Sequence, residues 1–366
     1  MRRILANLLC EDDLARIVPG RHRRTSPPGS VLAAVSRMGT LLRAFAREGD
    51  YLWTPAPVDR VPEVPGLPAV TLESGPLRDL PSAEEVLAWC ETPEAAAHRS
   101  GLRDPTPPPW GDPLHEIVWR LPVPSPAVVA EVHHRAFCLQ VADELGCALP
   151  GARMAESLIE LDDVLAARGA PRGWVVKAPL SASGRHRYIE RQGPALADPK
   201  ARRTVERLFE RHGPLLFEPW MDRVADFGVS ALLTPSGLRI VGVHGQRVDA
   251  KGQFLGIDLE PDLSPANRDR LLETAEAVAS ALRRAGYGGP FGIDAWRYRK
   301  EDGSVAFNPL GEINARMTFG LVAWTLAERL QSSRDRGGSR RGRLWRLWEE
   351  GWWAWRSCTA TALLVL

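Results

Sequence analysis

Phe307-Asn308-Pro309-Leu310-Gly311-Glu312-Ile313-Asn314-Ala315-Arg316 is the stretch whose reading decides the fold. Side chains alternate between the two faces of a strand, so Glu312 and Asn314 point the same way, and Arg316 follows if the strand continues. Two hard oxygen ligands beside a guanidinium suit a magnesium ion bound to a polyphosphate. Upstream, Phe291-Gly292-Ile293-Asp294-Ala295-Trp296-Arg297-Tyr298 reads as a second strand, and Glu301-Asp302-Gly303-Ser304 as the turn joining the two. A hairpin centred between Asp302 and Gly303 sets Asp294 against Gly311. One residue of slack, or a bulge near Pro309, sets it against Glu312. Carboxylates on a hairpin are usually solvated surface groups. These lie inside apolar runs, where a charge is costly to bury without a partner, they share a face, and a basic residue follows. Asp294, Glu312 and Asn314 are therefore candidate ligands of a divalent metal.

At 366 residues the chain is too long for one simple core and suggests two or three domains. Its 44% hydrophobic and 25% charged content is ordinary for a soluble globular protein. A net charge of +2 gives no general argument for binding nucleic acid or membrane. The five cysteines (Cys10, Cys90, Cys138, Cys147, Cys358) are odd in number, scattered, and form no CxxC pair, so neither a disulfide framework nor a zinc site is indicated. A reducing cytoplasm fits that usage best. Arg2-Arg3 before Ile4–Cys10 has the look of a signal peptide, but the apolar run is short, Asn7 interrupts it, and Glu11-Asp12-Asp13 follows at once. A buried first strand is the better reading. No apolar run approaches the length that spans a bilayer.

Residues 4–9 read as a strand, Val31–Arg47 as an amphipathic helix, and Tyr51–Trp53 and Ala69–Leu72 as further strands. Such alternation predicts a small α/β domain with a partly parallel sheet over residues 1–125. Proline clusters at Pro105–Pro109 and Pro122–Pro126 mark its end. A helical pattern runs from Pro126 to Gly146, and another helix covers Glu160–Arg168. A strand, Trp174-Val175-Val176-Lys177, leads into the small-residue loop Ser181-Ala182-Ser183-Gly184, then come a helix over Thr204–Arg211 and a short strand, Leu215–Trp220. Antiparallel strands over Phe227–Leu233, Leu238–His244 and Gln253–Leu259, and a helix over Pro265–Ala285, precede the hairpin. There is no internal repeat.

A strand ending in lysine and opening into small residues suits a polyphosphate. The lysine supplies charge, and small side chains let backbone N–H groups reach phosphate oxygens. The chain has no G-x-x-x-x-G-K-[ST], which excludes a P-loop, and no G-x-G-x-x-G follows a strand.

Taken in order, the helix bearing Arg135, the Pro150-Gly151 turn, the Lys177 strand and its loop, Glu218-Pro219-Trp220, Asp294 and Glu312-x-Asn314 resemble the ATP-grasp superfamily. The resemblance spans residues 126–325. Its most specific parts are Val175–Pro179, Phe217–Trp220, Gly292–Asp294 and Gly311–Asn314. It implies an α+β ATP-grasp fold: an N-terminal α/β domain (1–125), two α+β subdomains (126–217 and 218–330) gripping ATP, and a basic, Trp-rich tail (331–366). It also implies a carboxylate–amine ligase that works through an acyl phosphate with Mg²⁺, or Mn²⁺, as cofactor. By the resemblance, Lys177 contacts the α/β-phosphates, and the loop with Ser181, Ser183 and Gly184 covers the γ-phosphate. Glu218 lies at the adenine hinge, with the backbone near Trp220 reading the adenine edge. Asp294, Glu312 and Asn314 hold the metal, and Arg316 stabilises the transferring phosphoryl group or acyl phosphate. Arg135 supplies an early phosphate contact, a role His133 or His134 can also fill. The loop carries a single glycine, and no separate first-lobe lysine is evident.

Asp226 is a candidate for ribose or substrate, against the alternative of a solvated loop acid. His244, Gln246 and Arg247 are candidates for an acceptor carboxylate, against ordinary strand-end polar residues. His186 and Arg187 lie beside the loop. Residues 331–343 read as a basic linker without fixed structure. Trp345, Trp348, Trp352 and Trp355 beyond it form an a/d-like helical stripe. The expected partners are a small-molecule carboxylate and an amine, an amino acid or peptide among them. No nucleic acid and no membrane span is expected, and assembly into homo-oligomers is left open. A small-molecule kinase on the same scaffold and a non-catalytic nucleotide-binding regulator are the alternatives.

Overall fold

The computed structural model of the protein describes residues 1–18, 27–59, 61, 64, 67–101, 110–168, 173–181, 184–191, 193, 196–248, 254–336 and 363–365. The first sheet is formed by β1 (Arg2–Leu5), β2 (Tyr51–Thr54), β3 (Thr71–Ser74) and β4 (Glu85–Ala88), all parallel, in the order β3-β2-β1-β4. Its strands are short apolar runs. β1 stops at Leu5, earlier than expected, and Cys10–Leu14 winds into a helix that buries Glu11. The helix expected over Val31–Arg47 spans Gly29–Gly39 and tightens into a 3₁₀ segment, Thr40–Phe45.

The second sheet is antiparallel: β5 (Arg153–Ala155), β6 (Trp174–Lys177), β7 (Arg187–Glu190) and β8 (Leu215–Pro219), ordered β5-β8-β6-β7. The helices Leu158–Arg168 and Pro199–His212 cover it, and its core is a cluster of its own built on Trp174, Val176, Leu161, Val205, Leu215 and Phe217. The third sheet holds β9 (Asp222–Thr234), β10 (Gly237–Val248), β11 (Phe254–Asp258), β12 (Gly289–Arg299), β13 (Val305–Asn314) and β14 (Leu363–Val365), in the order β13-β12-β9-β10-β11-β14. The helices Pro265–Arg284 and Phe319–Arg336 pack on it, and it shares one continuous core with the first sheet.

The helical pattern after Pro126 is two helices, Pro126–His133 and Arg135–Glu144. His134 interrupts it in an extended conformation, and its Nδ1 accepts the Ala136 N–H at 3.2 Å, so the ring caps the second helix instead of continuing the first. The last helix continues to Arg336, into the segment read as a linker, while Trp345, Trp348, Trp352 and Trp355 lie outside the described residues. No described helix is long and apolar enough to cross a membrane.

In the hairpin, Asp294 pairs with Glu312 and Gly292 with Asn314. The register slips between Asp294 and Trp296, where β13 carries Pro309, Leu310 and Gly311 against Ala295 alone on β12. Proline cannot donate to the ladder, which is why the bulge sits there. Gly311 lies under the Trp296 ring; a Cβ at that position would stand 1.5 Å from Trp296 Cζ3. Gly311→Ala is therefore expected to lower the unfolding free energy by about 1–3 kcal/mol, as for other overpacked sites. Urea titration measures this, and an unmoved midpoint would show that the ring has room to step aside.

Candidate functional site

Residues that pair directly across a sheet share a face, so Asp294 (β12), Glu312 (β13) and the gap at Gly228 (β9) form one patch. Gln246 Nε2 donates to Asp294 Oδ1 at 2.6 Å and Asn314 Nδ2 to Asp294 Oδ2 at 3.2 Å. Burial, and then the Glu312 charge, push the Asp294 carboxyl up to about 6, against the opposing hydrogen bonds from Gln246 and Asn314. Asp294, Glu312 and Asn314 are thus brought together. Among the described residues no group of three or more His, Cys, Asp or Glu side chains is placed to hold a metal. The donors here are two carboxylates and an amide, all oxygen, a set whose chemistry fits a hard cation that keeps some ligands from water or phosphate.

The second sheet faces this patch. Lys177 and Glu218 lie on one face of the adjacent strands β6 and β8, and Lys177 Nζ forms an ion pair with Glu218 Oε2. Burial lowers the lysine's affinity for its proton, and Glu218 only partly offsets this. Burial would raise the Glu218 carboxyl, but the Lys177 charge and hydrogen bond bring it below its ordinary range. The helix Arg135–Glu144 starts at the same place. Arg135 Nε donates to the Ala178 carbonyl at 3.1 Å, Nη2 to the Ser181 carbonyl at 2.9 Å, and Nη1 lies 3.3 Å from Glu312 Oε1. One guanidinium therefore ties the loop after β6 to Glu312 on β13. Of the basic residues expected there, Arg135 alone does this. His134 is the helix cap, and His133 accepts the Ala315 N–H and lies 3.6 Å from Glu11.

Ser181 is buried in the loop, its Oγ 3.4 Å from Arg135 Nη2; Gly184 has φ +68 and lies under the Arg187 guanidinium; Ser183 is outside the described residues. Trp220 follows β8, stacks under Arg191 with the guanidinium carbon 5.3 Å from the ring centre, and donates its backbone N–H to the Gly173 carbonyl at 3.0 Å. That N–H is consequently engaged within the chain. Between the helix Arg135–Glu144, β8 and β13 lies a cleft of about 430 Å³, partly open to solvent. Its walls are apolar (Leu139, Ala142, Leu216, Leu310) and its rim is charged (Arg135, Glu218, Glu312).

Arg316, just beyond β13, donates from Nε to Glu11 Oε1 at 3.2 Å and from Nη1 to the Met317 carbonyl at 3.0 Å. Glu11 is fully buried. Desolvation opposes its charge, but Arg316 and His133 overcome this and hold the carboxyl well below the ordinary range, and the same contact raises Arg316. Arg185, after the loop, reaches within 3.7 Å of Glu11 and 3.5 Å of Asp12. The first domain thus anchors both Arg316 and the loop through a residue that sequence reading treated only as the end of an apolar run. The triplet Glu11-Asp12-Asp13 was the available signal; its partners lie hundreds of positions away.

The remaining candidates divide. Gln246 is in the site, on Asp294, whereas Arg247 turns away to Asp258 at 3.7 Å. His244 is buried beneath Gly228 and Gly320, and burial lowers it to about 4. Asp226 pairs with Arg223 at 3.2 Å, and Arg223 in turn covers Trp296 at 3.7 Å. His186 adopts φ 51 and lies 3.8 Å from Asp12. Arg187 pairs with Lys177 across the ladder, and its charge is disfavoured by burial and then by Arg223, Arg135 and Arg191. Arg223 belongs to the cluster and was not anticipated.

The chain is similar in structure to a complex of biotin carboxylase with β-γ-ATP from Campylobacter jejuni (TM-score 0.52, 10% identity, covering 90% of this chain and 70% of that one). It is also similar to N5-carboxyaminoimidazole synthetase from Staphylococcus aureus complexed with ADP (TM-score 0.50, 7% identity, 87% and 70% covered). Against a carboxyaminoimidazole ribonucleotide synthase from Aspergillus clavatus complexed with ATP the likeness is looser (TM-score 0.41, 18% identity), and the chain spans 47% of that chain's length. No protein-family model matches the sequence, and no curated protein matches it. The fold is the ATP-grasp fold.

The carboxylate pair has a measurable cost. Asp294 ionises near 3.8 in an ordinary setting and near 6 here. A raised acid stabilises the fold while protonated, below about pH 4, and loses that contribution as pH rises through 6. Without divalent cations, Asp294→Asn is expected to be more stable than wild type by about 1–3 kcal/mol at pH 7.5 and no more stable at pH 4. Urea melts at the two pH values give the comparison; a gap that does not change with pH would contradict the assigned repulsion.

Proposed function

We propose that the protein is an ATP-dependent ligase that joins a carboxylate to an amine, releasing ADP and phosphate. The observation that carries this reading is the crowding of Lys177, Arg187 and Arg223 near Arg135, which lines one cleft with Glu218 and Glu312. So many cations at mutual cost make chemical sense around a polyanion. Lys177 and Arg135 would hold the phosphates, the loop from Ser181 to Gly184 would cover the γ-phosphate, and the apolar cleft beside Glu218 and Trp220 would take the adenine. Asp294, Glu312 and Asn314 would hold Mg²⁺ or Mn²⁺. A cation there would offset charge on the transferring phosphoryl group. The structures that resemble this chain include enzymes with ATP or ADP bound, which supports the nucleotide assignment.

In the proposed reaction a substrate carboxylate oxygen attacks the γ-phosphorus, and the bond to the ADP oxygen breaks. The product is an acyl phosphate, whose phosphate is a far better leaving group than hydroxide. The amine then attacks the acyl carbon, the C–N bond forms, phosphate departs, and the amine proton passes to solvent. Arg316, held by Glu11, would stabilise the acyl phosphate; Lys177 and Arg135 would keep the nucleotide in line, so that catalysis would be chiefly positioning and charge neutralisation.

Glu312→Ala is expected to cut ATP turnover by at least ~10²-fold, the scale of losing one transition-state contact, while circular dichroism and the urea midpoint stay near wild type. An ADP-release screen over amino acids and dicarboxylates, with mass spectrometry of products, measures it. Wild-type rates in the variant would refute the site, and a stable phosphorylated product without amide would turn the reading to a kinase.

A further inference from the structure

The two carboxylates of the hairpin are neutralised in different ways. Asp294 takes amide donors from Gln246 and Asn314, whereas Glu312 has Arg135 Nη1 lying 3.3 Å from its Oε1. Among the described residues no other basic side chain comes within ion-pair distance of either one. The two partners of that contact are not equally held. Arg135 Nε donates to the Ala178 carbonyl at 3.1 Å, Nη2 to the Ser181 carbonyl at 2.9 Å, and the Arg135 backbone N–H to the Pro179 carbonyl at 3.0 Å. A guanidinium is a rigid planar fork, so with two of its nitrogens bonded to the loop the third is fixed as well. Its side chain is 10% exposed and that of Glu312 27%, so the carboxylate is the partner with room to move.

A divalent cation on this pair needs the Glu312 oxygens. With the guanidinium in place, an arriving cation finds one of them taken and meets a like charge beside it. An anion at Nη1 has the reverse effect: it competes with Glu312 for the nitrogen and sets the carboxylate free, while the loop bonds of Nε and Nη2 persist. We propose that Arg135 is the resident counter-ion of Glu312, and that this carboxylate passes from the guanidinium to a divalent cation when a polyphosphate takes its place on Arg135. The proposal rests on the ligase reading above and adds an order of binding to it. The free protein is closed to the metal by its own cation, and the polyphosphate opens the patch.

The test titrates Mn²⁺ alone into the full chain, without nucleotide, and follows the electron paramagnetic resonance of the free ion. Arg135→Gln is expected to bind Mn²⁺ tighter than wild type by ~5–150-fold, the usual range of coupling between two sites. Arg135→Lys, which keeps the charge, is expected to bind it more weakly than Arg135→Gln. If Arg135 served only to hold the loop, its removal would leave Mn²⁺ binding unchanged or weaken it. A second measurement covers the case in which Arg135→Gln does not fold: calorimetry of metal-free tripolyphosphate with Glu312→Gln and Asp294→Asn. Each removes one carboxylate, but only the first releases Arg135, so Glu312→Gln is expected to gain more affinity over wild type, by at least ~5-fold. Mn²⁺ bound no tighter by Arg135→Gln than by wild type, or equal gains from the two carboxylate variants, would overturn the exchange and leave the ligase reading in place. Tighter Mn²⁺ binding by Arg135→Gln beside a failed ADP-release screen would keep the counter-ion and sink the ligase reading.

Discussion

Asp294 and Glu312 are held side by side on adjacent strands by backbone hydrogen bonds that take no account of side-chain charge. The ladder fixes the distance, partial burial thins the water that would screen it, and the two carboxylates must then be reconciled by whatever surrounds them. Gln246 and Asn314 give amide donors to one, and Arg135 approaches the other. That partial neutralisation leaves the Asp294 carboxyl raised, a cost that added positive charge would relieve. Buried like charges are seldom kept for stability, since a pair of apolar residues would pack there at no electrostatic cost.

The arrangement reaches the second sheet through one side chain. Arg135 donates to two carbonyls of the loop after β6 and faces Glu312, so the loop and the metal-type patch are positioned by the same guanidinium. Glu11 does the corresponding work on the other side, holding Arg316 and lying near Arg185 at the loop's far end. Two ionic pins from outside the hairpin thus define the space between the lobes.

The hairpin was legible in the sequence because local signals agree on it: a turn at Asp302-Gly303, apolar runs on both sides, and Pro309 to force the slip that brings Asp294 opposite Glu312. The Lys177 strand was equally local. The Lys177–Glu218 ion pair was not, because it depends on β8 pairing with β6 in one register. Glu11 was invisible for a stronger reason: its partners, His133, Arg185 and Arg316, are distant in sequence, and no periodicity encodes a contact between a first-domain helix and the end of the hairpin. β4 and β7 are short strands without alternation and left no pattern to read. The break at His134 was masked because apolar spacing continues across it, while the capping geometry that ends the helix depends on one imidazole nitrogen.

The interior of the second sheet is a cluster separate from the one that joins the first and third sheets. What the two bodies present to each other is mixed: Arg185 meets Glu11 and Asp12, Arg135 holds two carbonyls of the loop after β6, and Leu139, Leu216 and Leu310 face one cleft. Parting them would wet both kinds of surface, so the work of opening the mouth has an ionic share and an apolar one. Salt then weakens only the ionic part of that seam and leaves its apolar part in place, so raising ionic strength loosens the two jaws without freeing them.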